Sequence, residues 1–301
     1  MNQLKNIFKI FIKNLKHIIY LLKEKEIPKK SIYSLNFKIL NYKNFSNKSE
    51  SPKLILSSMS HRVSNSRLKE FNEMFSLLSD YEIVYFNHRD RNKYMKHYWG
   101  QHKIFEVYKR ASFHQMRADI FRYCFLYNQG GTWLDFKSLL YFSNENLFQE
   151  DIETLLLISS NKIEDQLKVN KQEISITKSR MITNWFISSK KEADFIKYVI
   201  NDISVNYHKF IGKRFLNPKK AILEFTGPHR ITKLFYDYIH INQKWEKQIL
   251  FLDEHNYKIN FISEFGRNFS IFDGIFYKHY SQLENKKILR SNFLIDIKKK
   301  T

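Results

Sequence analysis

The sequence predicts an α/β fold, a Rossmann-like sheet flanked by helices and preceded by a basic amphipathic helix. Three observations carry this. Helical-period stretches alternate with short β-branched and aromatic runs through the body of the chain, the pattern of a parallel sheet covered by helices. Residues 118–138 read as helix, double glycine, short strand and carboxylate. The first 24 residues carry an apolar stripe at i, i+3, i+4 and i+7 with lysines on the other faces.

In that N-terminal stretch Leu4, Ile7, Phe8, Phe11, Leu15, Ile18, Ile19 and Leu22 form the stripe, and Lys5, Lys9, Lys13 and Lys16 lie off it. The unbroken apolar run 18–22 is far short of the roughly twenty residues that cross a bilayer. The interrupting lysines argue against a cleaved signal peptide. Two placements fit: flat on an anionic membrane, or packed on the body or a partner. The lysines favour lipid. Residues 25–52, lysine-rich and broken by Pro28, read as a linker or a peripheral strand pair. The expected division is therefore 1–52, N-terminal helix and linker, and 53–301, one catalytic domain, with no internal repeat.

Within the body, Leu54-Ile55-Leu56 is a strand that ends at Ser57-Ser58, a candidate nucleotide loop. Residues 65–78 form a helix with Leu68, Phe71, Met74, Phe75 and Leu78 on one side, and 81–86 form a second strand. Residues 192–207 and 221–238 contain further helices, 142–180 have a mixed pattern, and the chain ends in a basic tail.

The chemistry-bearing segment is 118–138. Asp119 and Arg122 share a helix face, while Phe121, Cys124, Phe125 and Tyr127 recur on the apolar side. This spacing puts Asp119 on the helix face and not in the core. Gly130 and Gly131 end the helix, because glycine takes the left-handed cap without steric penalty. Thr132-Trp133-Leu134 has the profile of a buried strand, and Asp135 follows it. Ligands of open α/β sheets bind at the carboxyl ends of strands, so Asp135 is well sited for a ribose hydroxyl or a metal.

This segment resembles the core of the DXD-type sugar transferases: glycosyltransferase family 32, the capsular polysaccharide synthesis proteins and the clostridial glucosylating toxins. Their pattern, D-x-x-R-Y-x-x-L-Y-x-x-G-G-x-Y/W-x-D-x-D, stands here as Asp119, Arg122, Tyr123, Leu126, Tyr127, Gly130, Gly131, Trp133 and Asp135. Phe225-Thr226-Gly227-Pro228 is similar to the family's downstream T-G-P turn. The 182–187 run resembles its asparagine-presenting strand through Asn184, and His279-Tyr280-Ser281 falls where a late histidine is common. The resemblance implies a GT-A-type, Rossmann-like mixed sheet. It implies transfer of a hexose, with retention, from a nucleotide diphosphate sugar to a cell-surface glycan such as capsule or O-antigen, on a glycan or lipid-linked acceptor. It places Asp119, Arg122 and Asp135 in the catalytic centre. Ser57, Ser58, Gly130, Gly131, Asp135, Lys137, Asn184, Thr226, Gly227 and His279 are its expected donor contacts.

One departure matters. Lys137 stands where the family has its second aspartate, and a lysine cannot ligate Mg²⁺ or Mn²⁺. Either its ammonium serves the diphosphate directly, or a divalent cation is held by Asp135, diphosphate oxygens and a late residue, Asp273 or His279. The substitution also keeps open a second class of function, an inactive module of the same fold that binds anionic glycan or lipid.

Composition narrows the rest. A single cysteine leaves no disulfide framework or zinc pattern and favours a cytoplasmic compartment, with peripheral membrane association through 1–24. Neither a P-loop nor a G-x-G-x-x-G fingerprint is present, against nucleotide hydrolysis and dinucleotide redox chemistry. The formal charge of +21 favours anionic partners, although A/T-rich codons alone enrich a chain in lysine. With the aromatics at core spacing and no recognition motif, nucleic acid is not the expected partner. Of the eleven histidines, His61, His88, His114, His229 and His279 lie near expected strand ends or motifs.

Overall fold

The computed structural model describes residues 29–35, 37, 39–40, 53–57, 62–136, 138–140, 151–158, 167–169, 172–174, 181–253, 260–261 and 283–291. The expected helix over 1–24 lies outside these residues, as do Ser58, His61, Lys137, Asp273 and His279.

Seven strands form the central sheet: β1 (Ile39–Leu40), β2 (Lys53–Ser57), β3 (Glu82–Phe86), β4 (Gly131–Asp135), β5 (Thr154–Ile158), β6 (Ile182–Ser189) and β7 (Ile249–Asp253). Their order is β7-β5-β6-β4-β2-β3-β1. β6 runs antiparallel to both of its neighbours, and every other adjacent pair is parallel. The sheet is therefore mixed, where the alternation of elements predicts a parallel one. Alternation reports which residues are strand, not the end from which the chain enters the sheet. β1 precedes residue 53 in the chain, yet it pairs with β3 at the edge of this sheet.

Strands buried on both faces read as continuous apolar runs, and Leu54-Ile55-Leu56 and Leu155-Leu156-Leu157 are fully buried. On one face Leu54, Leu56, Ile83, Tyr85 and Leu134 pack against α1 (Asn65–Leu77) through Leu68, Phe71, Met74 and Phe75. On the other, Ile55, Val84, Phe86, Trp133 and Leu156 meet a thicker helical layer. This layer holds α2 (His88–Trp99), α3 (Lys103–Arg110), α4 (His114–Gln129), α5 (Asp194–Asn206), α6 (Pro218–Phe225) and α7 (Pro228–Ile241).

The helix ends follow local chemistry. Asn87 caps α2 by accepting from the amides of Arg89 and Asp90 at 2.8 and 3.0 Å. The expected 221–238 helical stretch is two helices, because Pro228 opens α7 immediately after the Thr226-Gly227 turn. Among the described residues no helix is long and apolar enough to cross a membrane.

Between α4 and β4 there is almost no loop. Gly130, at φ 66°, donates its amide to the Leu126 carbonyl at 2.8 Å and closes the helix. Gly131, at φ 106°, starts the strand so close to β2 that a Cβ would lie 2.8 Å from both Ile55 Cδ1 and the Lys53 carbonyl. Two glycines are what this junction requires sterically.

Candidate active site

The tight α4–β4 turn makes helix and strand run back along each other from Gly130. Asp119 lies eleven residues back along α4 and Asp135 five residues on along β4. At 1.5 Å per helical residue and roughly 3.3 Å per strand residue, both stand about 16 Å from the turn. The sequence spacing thus levels the two carboxylates at the carboxyl end of the sheet. Arg122, one helical turn below Asp119, bridges them: Nη1 donates to Asp119 Oδ1 at 3.3 Å and Nη2 to Asp135 Oδ1 at 2.7 Å. Trp133 is two residues before Asp135 and on the same face of β4. Its Nε1 donates to Asp135 Oδ1 at 2.9 Å, and its ring lies 4.8 Å beneath the Arg122 guanidinium.

Two further elements close on Asp119. The reversed direction of β6 brings its first residues to the same edge, where Asn184 Nδ2 donates to Asp119 Oδ1 at 3.0 Å. Asn184 sits in a bulge: residues 184–186 fall between the consecutive pairings Thr183 with Leu157 and Ile187 with Leu156. A bulge re-aims side chains. From the α6–α7 turn, Thr226 Oγ1 donates to Asp119 Oδ2 at 3.1 Å, and the Thr226 carbonyl accepts from the buried Tyr123 hydroxyl at 2.8 Å. Three segments, α4 itself, β6 and the α6–α7 turn, therefore meet on one carboxylate.

Asp119 is only 9% exposed and Arg122 2%. This corrects the expectation that Asp119 lies on an outer helix face: α4 is covered on that side by β6 and the α6–α7 turn, which spacing along one helix cannot report. Burial raises its pKa to about 7 against the opposing pull of Arg122; Asp135 pushes it further up, and the Thr226 and Asn184 hydrogen bonds draw it down. Asp135 differs. Its side chain is 36% exposed, and with both neighbours on Oδ1, Oδ2 has no partner among the described residues. It is the carboxylate oxygen of this group that is open to a ligand.

The other expected contacts divide. Ser57, at the end of β2, pairs in register with Asp135 and donates its hydroxyl to the Phe86 carbonyl at 2.8 Å, so it belongs to the same edge. Gly227 begins α7 beside Thr226. Gly130 and Gly131 are corrected: they occupy the opposite end of β4, where they make the turn, and they reach no group of the site. Ser58, Lys137, Asp273 and His279 lie outside the described residues. Cys124 is buried, and desolvation pushes its thiol well up, which leaves it inert.

The carboxylates present fit a divalent cation only in part. Mg²⁺ and Mn²⁺ take several hard oxygens, and Asp135 Oδ2 offers one, while Asp119 spends both oxygens on protein donors. Among the described residues no group of three or more His, Cys, Asp or Glu is placed to hold a metal.

The residues that sequence spacing did not single out are Trp133 and Tyr123, which fix Asp135 and Thr226, and a cationic group around Arg91. Trp133 could have been found by strand parity with Asp135. Arg91 carries no such signal.

Residues 64–153 match the family model described as the glycosyltransferase sugar-binding region containing the DXD motif. This span holds α4, β4 and the Asp119–Arg122–Asp135 group. Among solved structures, one titled "PaToxG Glycosyltransferase" aligns with 77% of this chain and 80% of its own at 14% identity, with a TM-score of 0.38. Among curated proteins, none matches this chain in sequence.

Proposed function

We propose that this protein transfers a hexose from a nucleoside diphosphate sugar to a cell-surface glycan, on a lipid-linked or glycan acceptor, with retention at the anomeric carbon. The observation that carries the reading is the Asp119–Arg122–Asp135 group at the carboxyl edge of the sheet, inside the segment matched by the sugar-transferase model.

In this reading Asp135 Oδ2 receives a ribose or sugar hydroxyl, or one face of a divalent cation. A cation would supply charge neutralisation at the leaving diphosphate; Asp135 is the described residue that would touch it and Asp273 or His279 its proposed second ligand, while Lys137 would act on the diphosphate directly. Asp119 has a lone pair left on Oδ2 for a sugar hydroxyl, and Arg122 holds both carboxylates in register. The acceptor oxygen bonds to C1 as the C1–phosphate oxygen bond breaks, and the acceptor proton leaves with the diphosphate. A group rigidly held before the substrate arrives costs little to reorganise, the condition for electrostatic stabilisation of the departing charge. Ser57, Ser58, Asn184, Thr226, Gly227 and His279 complete the proposed donor contacts, and residues 1–24 the proposed contact with anionic membrane from the cytoplasmic side.

The test is a panel of nucleotide sugars scored by the rise in Tm, since a ligand of the native state stabilises it by mass action, followed by donor hydrolysis without acceptor. One sugar that raises Tm and is slowly hydrolysed supports a transferase. A sugar that binds and never turns over, with Lys137 in place of the second aspartate, would favour the non-catalytic binding module. No response to any nucleotide sugar sinks both.

A further inference from the structure

Beside the Asp119 group lies a second charged cluster in which the described residues place no ion-pairing carboxylate. α2 and α4 both begin at the carboxyl edge of the sheet, and their first turns face each other. His88 opens α2 and His114 opens α4, with ring centroids 6.1 Å apart. One turn further in stand Arg91 and Arg117. Arg91 is 3% exposed, its Nε has no partner, and no hydrogen bond or ion pair joins its guanidinium to a described residue. The charged and titratable groups that reach it are the guanidiniums of Arg117 and Arg122, the phenols of Tyr85 and Tyr108, and the His114 imidazole. Tyr108 donates to Asn92 at 2.7 Å and its pKa is pushed up to about 12, so it is neutral. The nearby carboxylates are spoken for: Asp119 and Asp135 pair with Arg122, and Asp90 forms no ion pair with Arg91 among the described residues.

Arg117 uses Nε on the Ala111 carbonyl at 3.0 Å, which leaves its terminal nitrogens without a described partner. His88 Nδ1 is buried and also unpartnered. The sixteen-residue α4 follows Phe113, which gives it no side-chain cap, so its first amides and the positive end of its dipole are open on the same side. A guanidinium stays protonated in a protein, and burying it without a counter-charge is costly. A chain that keeps this arrangement is holding a place for an anion.

We infer that Arg91 and Arg117, with His88, His114 and the open α4 N-terminus, form a phosphate-binding pocket beside the Asp119–Asp135 site. Two guanidiniums and helix amides match the fork geometry and charge of a phosphate. The phosphate comes from the donor diphosphate or from a phosphate on the acceptor; only this choice of carrier rests on the transferase reading.

The test uses the full chain at matched ionic strength, with inorganic pyrophosphate, orthophosphate, glycerol phosphate, UDP, GDP and the free nucleosides as probes. Pyrophosphate should raise the Tm of the wild type. Arg91→Met should raise the Tm of the ligand-free protein, because an unpaired buried charge is gone, and weaken pyrophosphate at least tenfold. Arg117→Met, at a more open position, should weaken it severalfold and decides the matter if Arg91→Met does not fold. With +21 charges on the chain, diffuse anion binding would survive either single change. A lower ligand-free Tm for Arg91→Met, with pyrophosphate affinity within twofold in both variants, overturns the pocket. If UDP or GDP lose affinity in step with pyrophosphate, the donor supplies the phosphate; if only glycerol phosphate does, the acceptor supplies it. Arg91-dependent pyrophosphate binding without sugar transfer would sink the transferase reading alone. Intact transfer, with both variants indifferent to every phosphate, would sink the pocket alone.

Discussion

Two buried charge clusters stand side by side at the carboxyl edge of the sheet, built on opposite rules. Around Asp119 the carboxylate is matched by donors from three segments: Arg122 from its own helix, Asn184 from β6 and Thr226 from the α6–α7 turn. Around Arg91 a guanidinium just as deeply buried faces two other guanidiniums and, among the described residues, no carboxylate. The first cluster pairs its buried charges within the protein and leaves only its outer oxygen, Asp135 Oδ2, to a ligand. The second finds no counter-charge among the described residues. Satisfied buried charge serves architecture; unsatisfied buried charge points to a ligand, because stability is otherwise lost for nothing.

The largest expected break of this contrast is Asp119→Ala. It leaves Arg122 half-paired and takes an acceptor from both Asn184 and Thr226, so the chain should lose about 3–5 kcal/mol in urea unfolding. A loss under about 1 kcal/mol would mean that the cluster contributes little to the fold and that the comparison is misdrawn.

The pH dependence of stability comes next. The folded pKa of Asp119 lies at about 7, above its ordinary 3.8. Between those values the unfolded chain has released the proton and the folded one still holds it. The contribution is therefore complete below about pH 4, is lost as pH rises toward 7 at about 1.4 kcal/mol per pH unit, and is flat above. Asp119→Asn cannot titrate, so the difference between the wild type and this variant should carry that slope. A flat difference would show that Arg122 keeps Asp119 ionised throughout.

Asn184→Ala removes one donor from Asp119 Oδ1 and should cost about 1–2 kcal/mol, with most of the cost absent when Asp119 is already Asn. Additive losses would place Asn184 outside the cluster. The smallest effect on stability belongs to Asp135→Asn. This side chain is one-third exposed and its pairing is open to water, so the change should stay within about 1 kcal/mol. Binding of the nucleotide sugar should nevertheless fall at least tenfold, because Oδ2 is the oxygen that faces outward. Full donor affinity in this variant would move the ligand away from Asp135.

The segment 118–138 shows how far a sequence alone can be read. Its periodicity, double glycine and strand profile give a helix, a turn and a strand, and simple lengths then level Asp119 with Asp135. The same reading put Asp119 on an outer face, because nothing local reveals that β6 and the α6–α7 turn cover it. It also gave Gly130 and Gly131 a place near the ligand, although the turn they make is a strand's length away. The direction of β6 was likewise invisible, and that direction is what delivers Asn184.

What the sequence determined by itself is therefore local: which residues are helix or strand, where glycine must break them, and which carboxylates and arginine share a face. These depend on neighbours within a few residues, whose geometry is fixed by covalent spacing. The tertiary structure alone decided which polar groups are buried and what they meet. Asp119 gained its partners, and Arg91 was left without one among the described residues, through contacts between segments up to about a hundred residues apart. Burial and pairing are properties of such contacts, and no pattern along one segment contains them.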